Sequence, residues 1–144
     1  MHAPIFVDTN LLIYALDDAD PGKQQAARAW RAALWQSRRG RISYQVLQEF
    51  YVKITQKWPK KRSQAREEIR DLLAWGPTPV DDDMLERSWK LQDRYRFSFG
   101  DALIVAAAQI SCARYLLTED LQADQELDGV RVINPFLLSP EAIP

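Results

Sequence analysis

The apolar positions of this chain fall into short unbroken runs and longer helical stripes, which alternate along its length as strands and helices do. Ile5-Phe6-Val7 is an apolar run that stops on Asp8. Such a run predicts a strand buried on both faces, as in a parallel sheet. Leu11-Leu12-Ile13 then begin a helix at once, with Thr9 or Asn10 as its cap. Asp20 and Pro21 read as N-cap and first residue of the next helix, which runs to Arg38 and is ended by Gly40. Ala26, Ala27, Trp30, Ala33 and Leu34 form its core stripe. Arg41–Tyr44 predicts a second strand, and Ser43 caps the helix Gln45–Gln56, whose apolar face is Val46, Leu47, Phe50, Tyr51 and Ile54. Ser63 is the expected cap of a helix carrying Ile69, Leu72, Leu73 and Trp75, broken by Gly76-Pro77-Thr78-Pro79. Val80 marks a short third strand, and Asp83 with Glu86 has the spacing of a capping box. Ser98 and Asp101 have that spacing too, ahead of Ala102–Ile110, which is apolar nearly all round and so predicts a buried helix. Tyr115–Leu117 and Val130–Ile133 are the fourth and fifth strands.

Strands alternating with helices predict an α/β domain, here a single one over residues 1–144. The composition, 47% hydrophobic and 27% charged, is that of an ordinary soluble domain with one core. A net charge of −1 neither demands nor excludes a nucleic-acid partner, since a local basic patch suffices. Cys112 is the only cysteine, which rules out an intrachain disulfide and fits a reduced cytoplasmic setting; it reads as a core residue. The first residues lack a basic n-region and a cleavage site, and no apolar run approaches the ~20 residues of a membrane span.

Ligands bind beyond the carboxyl ends of the strands in open α/β sheets. Asp8 is delivered to that edge by the first strand. The helix that follows the second strand starts at the same edge and carries Glu49. The Ala102–Ile110 helix must also start there if it feeds a strand parallel to the first, which brings Asp101 beside Asp8. Glu119 or Asp120 emerges at the end of the fourth strand. Each acid has a bland reading: Glu49 pairs with Lys53 at i+4, and Asp101 completes a capping box. Together they are carboxylates crowded at one edge, which repel unless a cation lies between them. Oxygen-only ligands select a hard cation, Mg²⁺ or Mn²⁺. His2 is the single histidine and lies at the terminus, so a zinc site or a histidine-activated nucleophile is poorly supported. Carboxylate-held Mg²⁺ usually acts on phosphate esters, and hydrolysis by that route needs no ribose 2′-OH. Two basic stretches stand out as candidate contacts for phosphate and a base. One is the helical stripe Arg28, Arg31, Trp35 and Arg38; the other is the loop Lys57-Trp58-Pro59-Lys60-Lys61-Arg62. Solvated faces or protein contacts explain both equally well.

Phe6-Val7-Asp8-Thr9-Asn10, Glu49 in its helix, Gly100-Asp101-Ala102-Leu103-Ile104 and Leu117-Thr118-Glu119-Asp120-Leu121 resemble the acidic motifs of PIN-domain ribonucleases. Their order and the chain length resemble the VapC-like toxins of bacterial toxin–antitoxin modules. The resemblance implies a three-layer α/β/α fold with a parallel sheet of order 3-2-1-4-5. It implies Mg²⁺- or Mn²⁺-dependent RNA cleavage, with Asp8, Glu49 and Asp101 as the main acids and Asp120 as a more variable fourth. Thr9 or Thr118 would be the hydroxyl near the metal, and Asn10 an auxiliary residue. The expected partners are RNA, a cognate antitoxin and a second copy of the chain, with no membrane. One departure is Gly100, which stands where many relatives carry an aromatic residue.

Three other readings compete. A haloacid-dehalogenase-like phosphatase needs a second Asp two residues after the first, and Asn10 stands there. A response-regulator receiver needs an acidic pair after the first strand and an Asp after a firm third strand. The remaining alternative is a PIN-fold protein-interaction module whose acids are residual.

Overall fold

The computed structural model describes residues 2–144. Strand β1 (Ile5–Val7) runs into helix α1 (Thr9–Tyr14) with no loop between them. The cap is Asp8 itself, and not Thr9 or Asn10 as expected: its backbone is extended and its carboxylate accepts from the Thr9 N–H. Helix α2 (Pro21–Ser37) starts with Asp20 as N-cap and Pro21 at its first position. It ends at Arg38, which takes the left-handed conformation at φ 60°, so the stop comes before Gly40. Gly40 instead belongs to β2 (Gly40–Arg41), where the Trp75 indole lies so close that an added Cβ would stand 2.5 Å from the ring.

Ser43 caps α3 (Tyr44–Lys57), accepting from the Val46 N–H. A short 3₁₀ segment, Pro59–Lys61, leads into α4 (Arg62–Leu72). Its N-cap position is Lys61, without a side-chain bond, so Ser63 lies inside the helix and caps nothing. Helix α5 (Asp82–Tyr95) is capped by Asp81, whose carboxylate accepts from the Met84 N–H; the Asp83–Glu86 box does not form. Helix α6 (Phe99–Ile110) is buried continuously from Ala102 to Ala108, as its uniform apolarity requires. Past it, Cys112 is exposed at φ 59°, contrary to the core position expected, because the turn into β3 (Tyr115–Leu117) points its side chain outward.

The sheet has the order β2-β1-β3-β5-β4, with β4 spanning Glu126–Leu127 and β5 Val130–Ile133. All neighbours are parallel except β4 and β5. The first four positions reproduce the 2-1-4-5 part of the expected order. The third expected strand, at Val80, reduces to one parallel bridge between Ser43 and Thr78. Thr78 spends both backbone groups there, donating to Ile42 O and accepting from Tyr44 N, each at 3.0 Å. Pro77 and Pro79 flank it and have no N–H to extend the ladder. The added strand β4 folds back across Asp128 and Gly129, both at positive φ.

Helix α6 packs on β1, β3 and β5, and α5 packs on α6. Helices α1 to α4 pack on one another, with Trp30 buried and its indole N–H donating to Pro135 O and Leu138 O. Among the described residues, no helix is long and apolar enough to cross a membrane.

Candidate active site

β1 and β3 run parallel in register Val7 to Leu117, so Asp8 and Thr118 leave the sheet side by side at its carboxyl edge. Both are buried. The Asp8 carboxylate is fixed at each oxygen: Oδ1 accepts from the Thr9 N–H at 2.7 Å, and Oδ2 accepts from the Thr118 hydroxyl at 2.8 Å. Helix α3 brings Glu49 to the same place, where Oε2 accepts from the Thr9 hydroxyl at 2.9 Å and Oε1 from Gln45 Nε2 at 3.0 Å. Asn10 reaches across to the end of β3. Its Nδ2 donates to Asp120 Oδ2 at 3.1 Å and to Thr118 Oγ1 at 3.2 Å, while the Asp120 N–H also donates to that hydroxyl.

Asp101 stands in the first turn of α6. The preceding residue, Gly100, is tied to Glu49 through Gln45, whose Nε2 lies 3.4 Å from Gly100 O as well as bonding Glu49 Oε1. The space beside Gly100 is open, with no heavy atom within 4 Å of where a Cβ would stand. Phe99, one residue earlier, is an exposed aromatic at the same helix start.

Between Glu119 and Asp120, which the sequence leaves open, the ion pairs differ. Glu119 is held by Lys23 at 2.8 Å, and Lys23 also sits over the Tyr14 and Phe136 rings. The Glu119 carboxylate is the largest influence raising the Lys23 pKa, followed by the Tyr14 hydroxyl. Asp120 has no cation partner among the described residues and turns to Asn10. Burial pushes the Asp8 carboxyl up to about 6 from an ordinary 3.8. The Thr118 and Thr9 hydrogen bonds oppose this, and the negative charges of Asp120 and Glu49 add to it.

This arrangement can be tested against a hard cation. Among the described residues, no three of the acids already stand close enough to enclose an ion. Neutral donors occupy the space between them: Thr9 bonds Glu49, Thr118 bonds Asp8, and Asn10 bonds Asp120. Two buried oxygens in this cluster, Asn10 Oδ1 and Gln45 Oε1, have no hydrogen-bond partner. Unpaired buried acceptors among carboxylates, one of them already pushed toward protonation, are a donor set that a hard divalent cation satisfies. Gln45 is the residue the sequence reading missed; its signal is the i, i+4 spacing to Glu49 on α3.

The side chain of Asp101 is not part of its helix cap, because only its backbone N–H donates to Ser98 Oγ, at 3.1 Å. Asp101→Asn should therefore leave the melting temperature in EDTA unchanged or higher. If the carboxylate were a cap instead, Asp101→Ala would lose ~0.5–2 kcal/mol with or without Mg²⁺.

The basic residues named from sequence have different fates. Arg31 grips Glu68 through two bonds, at 2.7 and 3.1 Å, and stacks over Trp35 and Trp75. Arg28 donates to Ala15 O, and Lys61 pairs with Asp18 at 2.8 Å. Arg38 and Lys60 are exposed and, among the described residues, carry no ion pair. Arg31 and Lys61 thus serve contacts within the fold, and the stripe does not form a free basic face.

A family model described as PIN domain matches residues 5–125. No curated protein matches the chain. Among solved structures, the chain is similar to one in a toxin–antitoxin complex from Klebsiella pneumoniae, with a TM-score of 0.60 and 25% identity over 92% of this chain and 98% of that one. It is also similar to VapC20 of Mycobacterium tuberculosis, a sarcin–ricin-loop-cleaving toxin, with a TM-score of 0.62 and 21% identity over 81% and 89% of the two chains. A third is VapBC2 of Rickettsia felis, solved bound to a promoter DNA fragment, with a TM-score of 0.61 and 15% identity over 89% and 96%. At these identities the last two show the fold alone.

Proposed function

The chain belongs to the PIN-domain family, and from that premise we propose that it is a divalent-cation-dependent endoribonuclease, the toxin of a toxin–antitoxin pair. The observation that carries the reading is the meeting of Asp8, Glu49 and Asp120 at one sheet edge through Thr9, Thr118 and Asn10. Asp101, in the first turn of α6, is the fourth acid of this reading. The likeness to a chain of a toxin–antitoxin complex supports an antitoxin as partner; the carboxylate edge, suited to a hard cation that acts on phosphate esters, supports RNA as substrate.

In this reading Asp8, Glu49 and Asp101 hold Mg²⁺ or Mn²⁺, with Asp120 beside them and Asn10 Oδ1 and Gln45 Oε1 as further oxygen donors. The cation, when bound, would polarise the scissile phosphate and lower the pKa of a water. The rest is done by the chain. Thr118 and the Thr9 N–H lock Asp8 in one rotamer, so its carboxylate needs no reordering when the ion arrives. Thr9 and Gln45 do the same for Glu49. Lys23 neutralises Glu119 and keeps a fifth negative charge from facing the RNA phosphate. Arg38 and Lys60 are the basic residues, of those named from sequence, still free to meet RNA. Residues 1–144 act as one domain, in the cytoplasm, as a homodimer.

The test is to sequence the ends of RNAs cut by the purified protein, with Asp8→Asn as control. Discrete ends that appear only with the wild type and Mg²⁺ support the reading. An identical pattern from Asp8→Asn, or Mn²⁺ binding no tighter than that of Asp8→Asn, would leave a PIN-fold protein-interaction module with residual acids.

A further inference from the structure

The fold assembles a basic cluster that no single stretch of sequence displays. Arg87, Lys90 and Arg94 stand at i, i+3 and i+7 of α5, which is one helical stripe. The turn from α6 into β3 brings Arg114 beside them, and together they line an open cleft of about 730 Å³. Asp128 is the only carboxylate in that lining, and it is already shared by Arg94, at 3.1 Å, and the Tyr95 hydroxyl, at 2.9 Å. Arg87 reaches only Gln109 Oε1, at 3.3 Å, and its Nε is buried with no hydrogen-bond partner. Among the described residues, Lys90 and Arg114 have no carboxylate partner, although Glu86 lies one helical turn before Lys90. Cations gathered without counter-charge repel one another, and an incoming anion relieves that cost.

We infer that this cleft is an exosite for the phosphodiester backbone of the RNA, distinct from the carboxylate cluster; the inference rests on the ribonuclease reading. The three α5 cations are spread over ~10 Å of helix rise, so they present a row and not a cage around one phosphate. A row suits consecutive phosphates, and arginine forks grip phosphate oxygens through paired bonds. Gln109, in the last turn of α6, lies in this cleft, whereas Asp101 is in the first turn. The offset of eight positions separates the two sites by ~12 Å along the helix. The exosite therefore holds RNA without touching the bond that is cut. Arg31 and Lys61 cannot substitute for it, because Glu68 and Asp18 already occupy them.

The test uses the full chain. Binding is measured on the Asp8→Asn background, where RNA is not cut, by anisotropy of a labelled single-stranded RNA across a salt series. Lys90→Glu with Arg114→Glu should flatten the dependence of log K on log salt by ~1.4, given ~0.7 per phosphate contact for single strands. In the active protein, the same pair should raise KM for long RNA, leave kcat unchanged, and leave cleavage of an oligonucleotide too short to reach the cleft unaffected. Cys112 lines the cleft and is the only thiol, so maleimide labelling gives an independent readout. RNA should protect it in the Asp8→Asn protein, and inorganic phosphate should protect it far less. An unchanged salt slope, or Cys112 labelled equally with and without RNA, overturns the exosite. Equal protection by inorganic phosphate replaces the row with a single-anion pocket. Loss of antitoxin binding with an unchanged RNA slope makes the cleft a protein surface. Failure of the exosite leaves wild-type, Mg²⁺-dependent cleavage intact, whereas failure of the ribonuclease reading removes cleavage from the wild type itself.

Discussion

RNA cleavage by the purified chain should stop in EDTA and return with Mg²⁺ or Mn²⁺, and the products should carry a 5′-phosphate and a 3′-hydroxyl. A metal-free ribonuclease needs a base to activate the 2′-OH and an acid to protonate the leaving oxygen, and histidine usually supplies both. Here the only histidine, His2, precedes β1, at the amino end of the strand whose carboxyl end carries Asp8. The carboxyl edge offers oxygen donors instead. A 2′-deoxy substitution at the scissile nucleotide should therefore leave the chemistry intact, even where it weakens binding. Asp8→Asn and Asp101→Asn should each cost at least ~10²–10³-fold in kcat, the loss typical when one electrostatic stabiliser of a transition state is removed. Products ending in 2′,3′-cyclic phosphate, with activity surviving EDTA, would falsify this mechanism and the roles of all four acids.

The strands and buried helices were legible because burial on both faces leaves an unmistakable apolar signature. Ile5–Val7, Tyr115–Leu117 and Val130–Ile133 form at the expected places. The acids were legible for a different reason. A parallel sheet sends each strand end, and each following helix start, to one edge, so residues far apart in sequence meet there. Caps were harder, because neighbouring Asp, Ser and Thr compete locally and tertiary geometry decides among them. Asp8 and Asp81 are the caps, not Thr9 and Asp83. Strand β4 was overlooked although Asp128-Gly129 is a strong hairpin signal, since its two residues carry no pattern of their own. The basic cleft was invisible because α5 and the α6–β3 turn each supply only part of it. For Arg31 the sequence leaves the alternatives open: helical spacing shows a face, and only the fold reveals that Glu68 pairs with it.

Asp8→Asn should raise the melting temperature in EDTA near neutral pH, and the gain should vanish in acid. Asp8 is 7% exposed, and its folded pKa of about 6 lies above the ordinary 3.8. Above about 6 the carboxyl is ionised in both states, and the folded protein bears the whole cost of the buried charge. Between about 6 and 3.8 the folded form takes up a proton that the unfolded form does not, so the cost shrinks as the pH falls; below 3.8 it is gone. The full difference is worth ~3 kcal/mol, since each pKa unit is ~1.4 kcal/mol. Asparagine is as good an N-cap as aspartate. Its amide cannot accept from both Thr9 and Thr118 as the carboxylate does, which costs ~1 kcal/mol. The remaining ~2 kcal/mol corresponds to ~4–8 °C for a chain of this size. Saturating Mg²⁺ should reverse the order: the wild type gains ~2.7 kcal/mol at a hundred times its Kd, and the variant, lacking the ligand, gains little. Melts of both proteins at neutral and acid pH, with EDTA or Mg²⁺, check all four corners. A wild type that outlasts Asp8→Asn in EDTA at neutral pH would mean that the paired bonds from Thr9 and Thr118 outweigh the cost of burying the charge, and that Asp8 is not a strained, cation-seeking acid.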